Sequence, residues 1–317
     1  MIDPDAAPDA APDTGPTTGH TLLQRLLAEA VGTFVVVLVG CGAWAYATTT
    51  RSFAVLSVAL AFGLAYALVV HTLGRVSGAH VNPAVSVAAA AAGRMSWRDA
   101  ASYAGAQVVG AIAAALVLLV LLQGYGRFDL GRDGLGQTYF GDEGTGYAWW
   151  AAFLLELVLT AVLVLVVLGA TDRRSAQPAT TPLVVGATVV ALHLVALPAT
   201  GASFNPARSL GPALFAGVDA LAQVWLFLLA PLLGALAAGL LHPLVLGRAD
   251  EPVPGSGLQL RLPARRPAAA DPATSPYQEQ WDEQLRTGQP IIQDGWQWDP
   301  HAQQWIPAPD TSDDQRS

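Results

Sequence analysis

Charged residues are scarce in this 317-residue chain, at 13%, and lysine is absent, so all 16 strongly basic residues are arginine. The single cysteine, Cys41, excludes an intrachain disulfide. No extended basic groove is present, so we expect no nucleic-acid partner. The sequence also lacks a nucleophile–base pair, a metal-ligand cluster and a phosphate-binding loop. These absences argue against an enzyme, a bound metal and a cofactor.

Long apolar runs are what the chain has in abundance, with 53% hydrophobic residues. Spans of roughly 20 apolar residues cross a bilayer as helices. Six runs are candidates: 22–47, 53–73, 99–123, 148–170, 181–198 and 221–246. Two further apolar stretches, 82–92 and 205–215, are too short to span, and we interpret them as re-entrant half-helices. The sequence therefore predicts an all-α membrane protein.

The two ends of the chain differ in composition from this apolar region. Residues 1–21 and 249–317 are rich in Pro, Asp and Ala and poor in aliphatic runs, which predicts disordered tails around a membrane domain at 22–248. The N-terminal tail also lacks the basic start of a signal peptide. The segment 295–307 is an exception, because it holds three tryptophans in ten positions. It is either a motif that docks on the membrane domain, on lipid headgroups or on an unidentified partner, or a sticky tail without specific function.

Arginine placement orients the spans. Arginines gather between spans two and three, between spans four and five, and beyond both ends of the membrane domain. They are Arg75, Arg94, Arg98, Arg173 and Arg174, with Arg25, Arg248, Arg261, Arg265 and Arg266 at the ends. The positive-inside rule makes this side cytoplasmic, together with both termini, in the cell (plasma or inner) membrane. The Gly-rich loop 124–147 is then the external connection between the halves.

Two tripeptides begin the short apolar stretches: Asn82-Pro83-Ala84 and Asn205-Pro206-Ala207. Asn is among the best N-cap residues, and Pro suits the first helical position because its missing N–H has no partner there anyway. Each tripeptide therefore predicts the N-terminus of a short helix. Capped helix starts at corresponding places in two halves of a membrane protein point to a pore or a site near the midplane.

The halves match beyond these tripeptides. Glu29 begins span one and Glu156 begins span four, and the tripeptides follow them by 53 and 49 residues. Each half, about 22–123 and 148–248, holds three spans and one half-helix. Since three is odd, the second half enters from the opposite side, which makes an inverted repeat. The half-helices then enter from opposite faces and meet near the midplane.

Carboxylates within spans are costly and therefore mark candidate functional sites. We predict that Glu29 and Glu156 brace the re-entrant loops by accepting hydrogen bonds from backbone N–H groups. A proton relay is the alternative. The repeat favours the brace, because both halves have the same loop to hold.

At this point the sequence resembles the aquaporin (major intrinsic protein) family, and most of all its bacterial water-selective members. The resemblance covers about residues 22–248. It rests on the two tripeptides, on Arg208 directly after the second, on the paired glutamates and on Val-Ala-Leu-Ala-Phe-Gly in span two. It implies a right-handed bundle of six helices and two half-helices, with one pore per protomer in a homotetramer. It also implies a passive channel for water that excludes protons and ions.

The resemblance further implies an outer constriction at four positions: Phe62, His193, Ala202 and Arg208. Phe, His and Arg resemble the water-selective set, whereas glycerol facilitators typically have Trp and Gly at the first two positions and Asp directly after the arginine. Here that residue is Ser209. Ala202 departs from the Thr that is common in bacterial water channels and would widen one edge of the opening. Two alternatives therefore stay open: broader selectivity for ammonia, hydrogen peroxide or small polyols, and a membrane scaffold that acts through the C-terminal tail.

Overall fold

The computed structural model describes residues 19–52, 54–257, 292–293, 296–299 and 304–307. Our prediction of disorder for residues 1–18 and for most of 258–317 lies outside the described residues. The chain divides into two units at residue 259, and each unit is described here by itself.

Six long apolar helices and two short ones build the first unit, so the predicted all-α membrane fold is confirmed. The long helices are α1 (Leu22–Thr50), α2 (Val55–Ser77), α4 (Trp97–Leu122), α6 (Trp149–Ala170), α7 (Thr181–Thr200) and α9 (Val218–Val245). The half-helices are α3 (Pro83–Ala91) and α8 (Pro206–Ala213). One further turn, α5 (Leu130–Asp133), lies in the long loop 124–147, and a 3-10 turn at Pro178–Thr180 leads into α7.

The half-helices begin at the Asn-Pro pairs, as the sequence predicts. The Asn82 side-chain oxygen accepts from the backbone N–H of Ala84 at 2.9 Å. The Asn205 side-chain oxygen accepts from the N–H groups of Ala207 at 3.1 Å and Arg208 at 3.2 Å. Each Asn thus satisfies N–H groups that the first turn of a helix leaves without partners.

The inverted repeat determines which helices touch. Half-helix α3 packs against α9 of the other half, and half-helix α8 packs against α4. Glycines permit both approaches: a Cβ on Gly239 would lie 2.6 Å from the Ala88 carbonyl oxygen, and a Cβ on Gly211 would lie 2.6 Å from that of Ala111. Each half-helix is therefore clamped by the last span of the opposite half, and its N-terminus points into the centre of the bundle.

The membrane unit extends past the boundary that we predicted at residue 248. The backbone N–H of Val253 donates to the Gly93 carbonyl at 2.8 Å, and that of Gly257 donates to the Ala90 carbonyl at 2.8 Å. The Trp97 indole N–H donates to the Gly257 carbonyl at 2.8 Å. These bonds hold residues 249–257 against the turn between α3 and α4, so the disorder predicted for this part of the tail does not hold.

The Trp-rich segment of the second unit forms a small antiparallel sheet. Its strands are β1 (Ile292–Gln293), β2 (Trp296–Asp299) and β3 (Gln304–Pro307), in the order β1-β2-β3. Trp298 pairs with Trp305 across β2 and β3, and their rings meet edge to face with centroids 5.6 Å apart. Cross-strand aromatic pairs of this kind stabilise a hairpin. The sheet is therefore a second exception to the disorder predicted for the tail.

Candidate functional site

Two re-entrant loops, residues 78–81 and 201–204, lead into the half-helices with the same unusual backbone. In both, the glycine and two later residues have positive φ: Gly78 88°, Ala79 47°, Val81 44°, and Gly201 81°, Ala202 54°, Phe204 50°. Non-glycine residues pay about 1–3 kcal/mol each for such conformations. The surrounding contacts must therefore hold the loops in place.

Glu29 supplies those contacts in the first half. Its carboxylate accepts from the backbone N–H groups of His80 at 3.0 Å and Val81 at 2.7 Å. It also accepts from the Ser77 hydroxyl at 2.6 Å and from the Gln107 amide at 2.7 Å. Glu29 is fully buried, so four donors surround a charge that water does not reach. Sequence reasoning missed Gln107, which lies on α4 between small and apolar residues.

Glu156 makes the corresponding contacts in the second half. It accepts from the backbone N–H groups of Ser203 at 3.0 Å and Phe204 at 2.9 Å, and from the Thr200 hydroxyl at 2.7 Å. It too is fully buried. We predicted that both glutamates would accept hydrogen bonds from the re-entrant loops, and the structure places such bonds at both.

The Asn side chains tie the two loops together at the centre of the bundle. The Asn82 amide donates to the Phe204 carbonyl at 2.7 Å, and the Asn205 amide donates to the Val81 carbonyl at 2.9 Å. Pro83, Ala84, Pro206 and Ala207 are buried beside them in the first turns of the half-helices. Each half thus fixes the other, and the two helix N-termini face each other across this junction.

A tyrosine that sequence reasoning missed also reaches the junction. The Asn205 amide donates a second hydrogen bond, at 2.9 Å, to the Tyr66 hydroxyl. Tyr66 follows Phe62 by four residues on α2. Residues four apart lie on one helix face, so this spacing was a readable signal.

Three of the four predicted constriction residues converge on the side of the junction that faces the long loop. The rings of Phe62 and His193 stack with centroids 4.3 Å apart. The Arg208 guanidinium carbon lies 4.9 Å from the Phe62 ring centroid. We call Phe62, His193 and Arg208 the constriction. Ala202 is fully buried in the adjoining loop, directly after Gly201.

Two backbone carbonyls hold Arg208 in position. Its Nη1 donates to the Gly136 carbonyl at 2.8 Å, and its Nη2 donates to the Gly201 carbonyl at 3.0 Å. The His193 Nδ1 lies 2.8 Å from the Val189 carbonyl, which makes Nδ1 the protonated nitrogen and leaves Nε2 as an acceptor in the neutral ring. Within the described residues, Nε2 of His193 and Nε of Arg208 are buried without a protein partner. His193 Nε2 can therefore accept a hydrogen bond, and Arg208 keeps N–H groups, among them Nε–H, that can donate one.

Gly136 reaches Arg208 because the long loop folds inward. Leu135 beside it is fully buried, and the Thr48 hydroxyl donates to the Asp133 carbonyl at 2.8 Å. The Asp133 carboxylate accepts from Arg132 at 2.9 and 2.7 Å, which lowers its pKa to about 2. Sequence reasoning treated this loop only as a connection and did not predict that it contacts the site.

Six spans, two opposed half-helices in an inverted repeat and a buried polar constriction define a membrane channel with re-entrant loops. The sequence model of the family described as Major intrinsic protein matches residues 17–242. The chain belongs to this family, so it is a multi-pass membrane channel and not an enzyme, and the resemblance stated from the motifs is confirmed. Among the residues that the structure describes, no cluster of His, Cys, Asp and Glu could hold a metal ion.

Several relatives are similar in sequence to this chain over most or all of their own length. Aquaporin Z of Brucella melitensis is 42% identical over 230 residues, which cover 72% of this chain and all of that protein. Aquaporin Z of Rhodopseudomonas palustris is 40% identical over 222 residues, which cover 69% and 92%. The crystal structure of the aquaglyceroporin from Plasmodium falciparum is similar with a TM-score of 0.64 at 24% identity, over 71% of this chain and 97% of that one. That last likeness concerns the fold alone.

Proposed function

We propose that this protein is a passive, water-selective channel that excludes protons and ions. The observation that carries the proposal is the constriction, in which a phenyl ring, an imidazole and a guanidinium meet with Phe62 and Arg208 only 1% exposed and His193 3% exposed. The Aquaporin Z relatives support water as the permeant. A water molecule needs only one donor and one acceptor at this point, which His193 and Arg208 supply.

Arg208 accounts for the exclusion of cations. A second positive charge 4 Å from a fixed guanidinium is repelled by about 4 kcal/mol at an effective dielectric constant of about 20. The carbonyls of Gly136 and Gly201 prevent the guanidinium from swinging aside. A neutral water that passes is not repelled, and it accepts a hydrogen bond from Nε.

The Asn junction accounts for the exclusion of protons. The N-termini of the two half-helices carry partial positive charge, and both point at the junction. Such opposed half-helix dipoles raise the energy of a proton or cation at the midplane. In this proposal Glu29 and Glu156 are structural braces that keep Asn82 and Asn205 in place, and they do not relay protons.

The assembly and its orientation belong to the same proposal. The outer faces of the spans expose large apolar side chains, among them Leu68, Val120 and Leu183, which suits contact with lipid or with neighbouring protomers. We infer a homotetramer from the family resemblance alone. We place it in the cell membrane with both termini cytoplasmic, since the arginine-rich loops and both ends of the membrane domain share one side. We also propose an unidentified cytoplasmic partner for the C-terminal tail that carries the Trp-rich segment.

One observation favours a second candidate function, a pore with broader selectivity. Ala202 has no hydroxyl and a small side chain, so the edge of the opening beside Gly201 is less filled than it would be with Thr. Ammonia, hydrogen peroxide or a small polyol are the solutes that such an opening would admit. A scaffold that acts only through its tail would not need Arg208 to be held by two carbonyls.

Stopped-flow light scattering on proteoliposomes tests these functions. The vesicles are shrunk by an impermeant osmolyte, and glycerol uptake is followed in parallel. We expect fast shrinkage with a low activation energy, and glycerol uptake no faster than in empty vesicles. Glycerol uptake well above empty vesicles would establish the broader pore, and no acceleration for either solute would refute the open channel.

A further inference from the structure

Tyr66 lies between the constriction and the other end of the pore. Phe62, Tyr66 and Val70 follow one another at intervals of four on α2, so they share one face of the helix. Phe62 belongs to the constriction, and Tyr66 reaches Asn205. Val70 and Tyr66 both line a cavity that continues towards the first re-entrant loop, along Gly78 and His80. A solute that crosses the protein along this face must therefore pass the Tyr66 side chain.

The space beside Tyr66 is narrow. The cavity has a volume of about 20 Å³, which is room for about one water. Tyr66 itself is only 6% exposed, and its ring belongs to the same buried cluster as Phe62 and Phe204. A cavity on the tail side, along Arg75 and Tyr103, is far larger at about 350 Å³. The path is therefore narrower beside the Tyr66 ring than in the cavity along Arg75 and Tyr103.

The hydroxyl of Tyr66 also occupies a hydrogen-bond position that a permeating water would use. An Asn side-chain nitrogen has two hydrogens to donate. Asn205 gives one to the Val81 carbonyl and the other to the Tyr66 hydroxyl, both at 2.9 Å. With both hydrogens used, Asn205 has none left for water until the tyrosine hydroxyl moves away.

We propose that Tyr66 is a second, midplane constriction of this channel, at which its hydroxyl competes with water for the Asn205 amide. A water molecule passes by displacing the Tyr66 hydroxyl from the Asn205 amide. The displaced hydroxyl still has its own hydrogen, which it can donate to that water. The inference rests on the proposed function, since it concerns the rate of water passage. It makes Tyr66 a residue that limits the rate of water passage, in addition to the outer constriction of Phe62, His193 and Arg208.

Two variants separate the ring from the hydroxyl. Tyr66→Phe keeps the ring and frees the Asn205 amide, while Tyr66→Val removes both obstacles. Breaking one hydrogen bond of ordinary strength corresponds to about a two- to tenfold change in rate. We expect water permeability per channel to rise by about that factor in the Phe variant and further in the Val variant, and its activation energy to fall in the same order. Leu64→Val is the matched control, because Leu64 is on the same helix and 59% exposed on its outer face.

The measurement is osmotic shrinkage of proteoliposomes that contain equal amounts of correctly assembled protein, as judged by size-exclusion chromatography. Glycerol uptake is followed as well and should stay at the level of empty vesicles, because the outer constriction is unchanged. If the wild type and Tyr66→Val have the same fast water flux, the midplane constriction is overturned and the water channel remains supported. A slower Tyr66→Val variant, or a rise in glycerol and water together, would also overturn it. Wild type and both variants no faster than empty vesicles would refute the water channel and this inference together.

Discussion

Glu156 offers the sharpest test of how this fold holds its re-entrant loops in position. Its carboxylate is fully buried and accepts from two backbone N–H groups, those of Ser203 and Phe204. The substitution Glu156→Ala leaves both N–H groups without a partner in the protein. The Thr200 hydroxyl is less affected, since it also donates to the Ala196 carbonyl at 3.3 Å.

The size of the effect follows from these contacts. An unsatisfied buried donor costs about 1–3 kcal/mol, so two of them cost about 2–6 kcal/mol. Removing a buried charge offsets part of this cost. The same loop carries the positive φ angles of Ala202 and Phe204, which are strained. Without Glu156, fewer hydrogen bonds hold these residues in that strained backbone conformation. We therefore expect the loop to relax and the hydrogen bond from Arg208 to the Gly201 carbonyl to break.

Two measurements follow this change: the midpoint of thermal denaturation in detergent, and water permeability in proteoliposomes. Both should fall in Glu156→Ala. Glu156→Gln should lie between it and the wild type, because its amide keeps one acceptor oxygen but turns N–H groups towards a loop that has donors of its own. Glu143→Ala is the matched control, since Glu143 is exposed in the long loop. If Glu156→Ala matches the wild type in both measurements, the brace is refuted.

Three further substitutions test other parts of the argument. Arg208→Ala removes the fixed charge and its side chain from the constriction, so glycerol uptake by proteoliposomes should rise above that of the wild type; an unchanged rate would place the filter elsewhere. Gly110→Ala puts a methyl group onto the Ala30 carbonyl, and overpacking of this kind costs about 1–3 kcal/mol, which should lower the thermal midpoint in detergent. Asp133→Asn should be less stable than the wild type at pH 7. Because Arg132 lowers the Asp133 pKa from 3.8 to about 2, the stabilisation is present above pH 4 and is lost as the pH falls towards 2, so the difference between the thermal midpoints should shrink over that interval.

The sequence by itself determined the architecture of this protein. Apolar runs define spans through their length alone, because the bilayer thickness fixes how many helical residues are needed. Asn followed by Pro marks a helix start through local backbone chemistry, and that is why the half-helices begin at Asn82 and Asn205 as predicted. The repeat and its inversion needed only the count of spans in each half. The Asn-Pro helix starts are local signals, and the spans are recognised and counted from the apolar residues along the chain. A single sequence is therefore enough to predict them.

Only the tertiary structure decided which distant groups meet. The Gly136 carbonyl reaches Arg208 across 72 residues of sequence, and the Asn205 amide reaches the Tyr66 hydroxyl across 139. The loop carries no pattern that predicts an inward fold. The four-residue spacing of Phe62 and Tyr66 predicts a shared helix face, but it does not predict which distant group the Tyr66 hydroxyl meets. Hydrogen bonds of this kind depend on how two helices and a loop are placed in space. The chain order of residues does not encode that placement in any local signal.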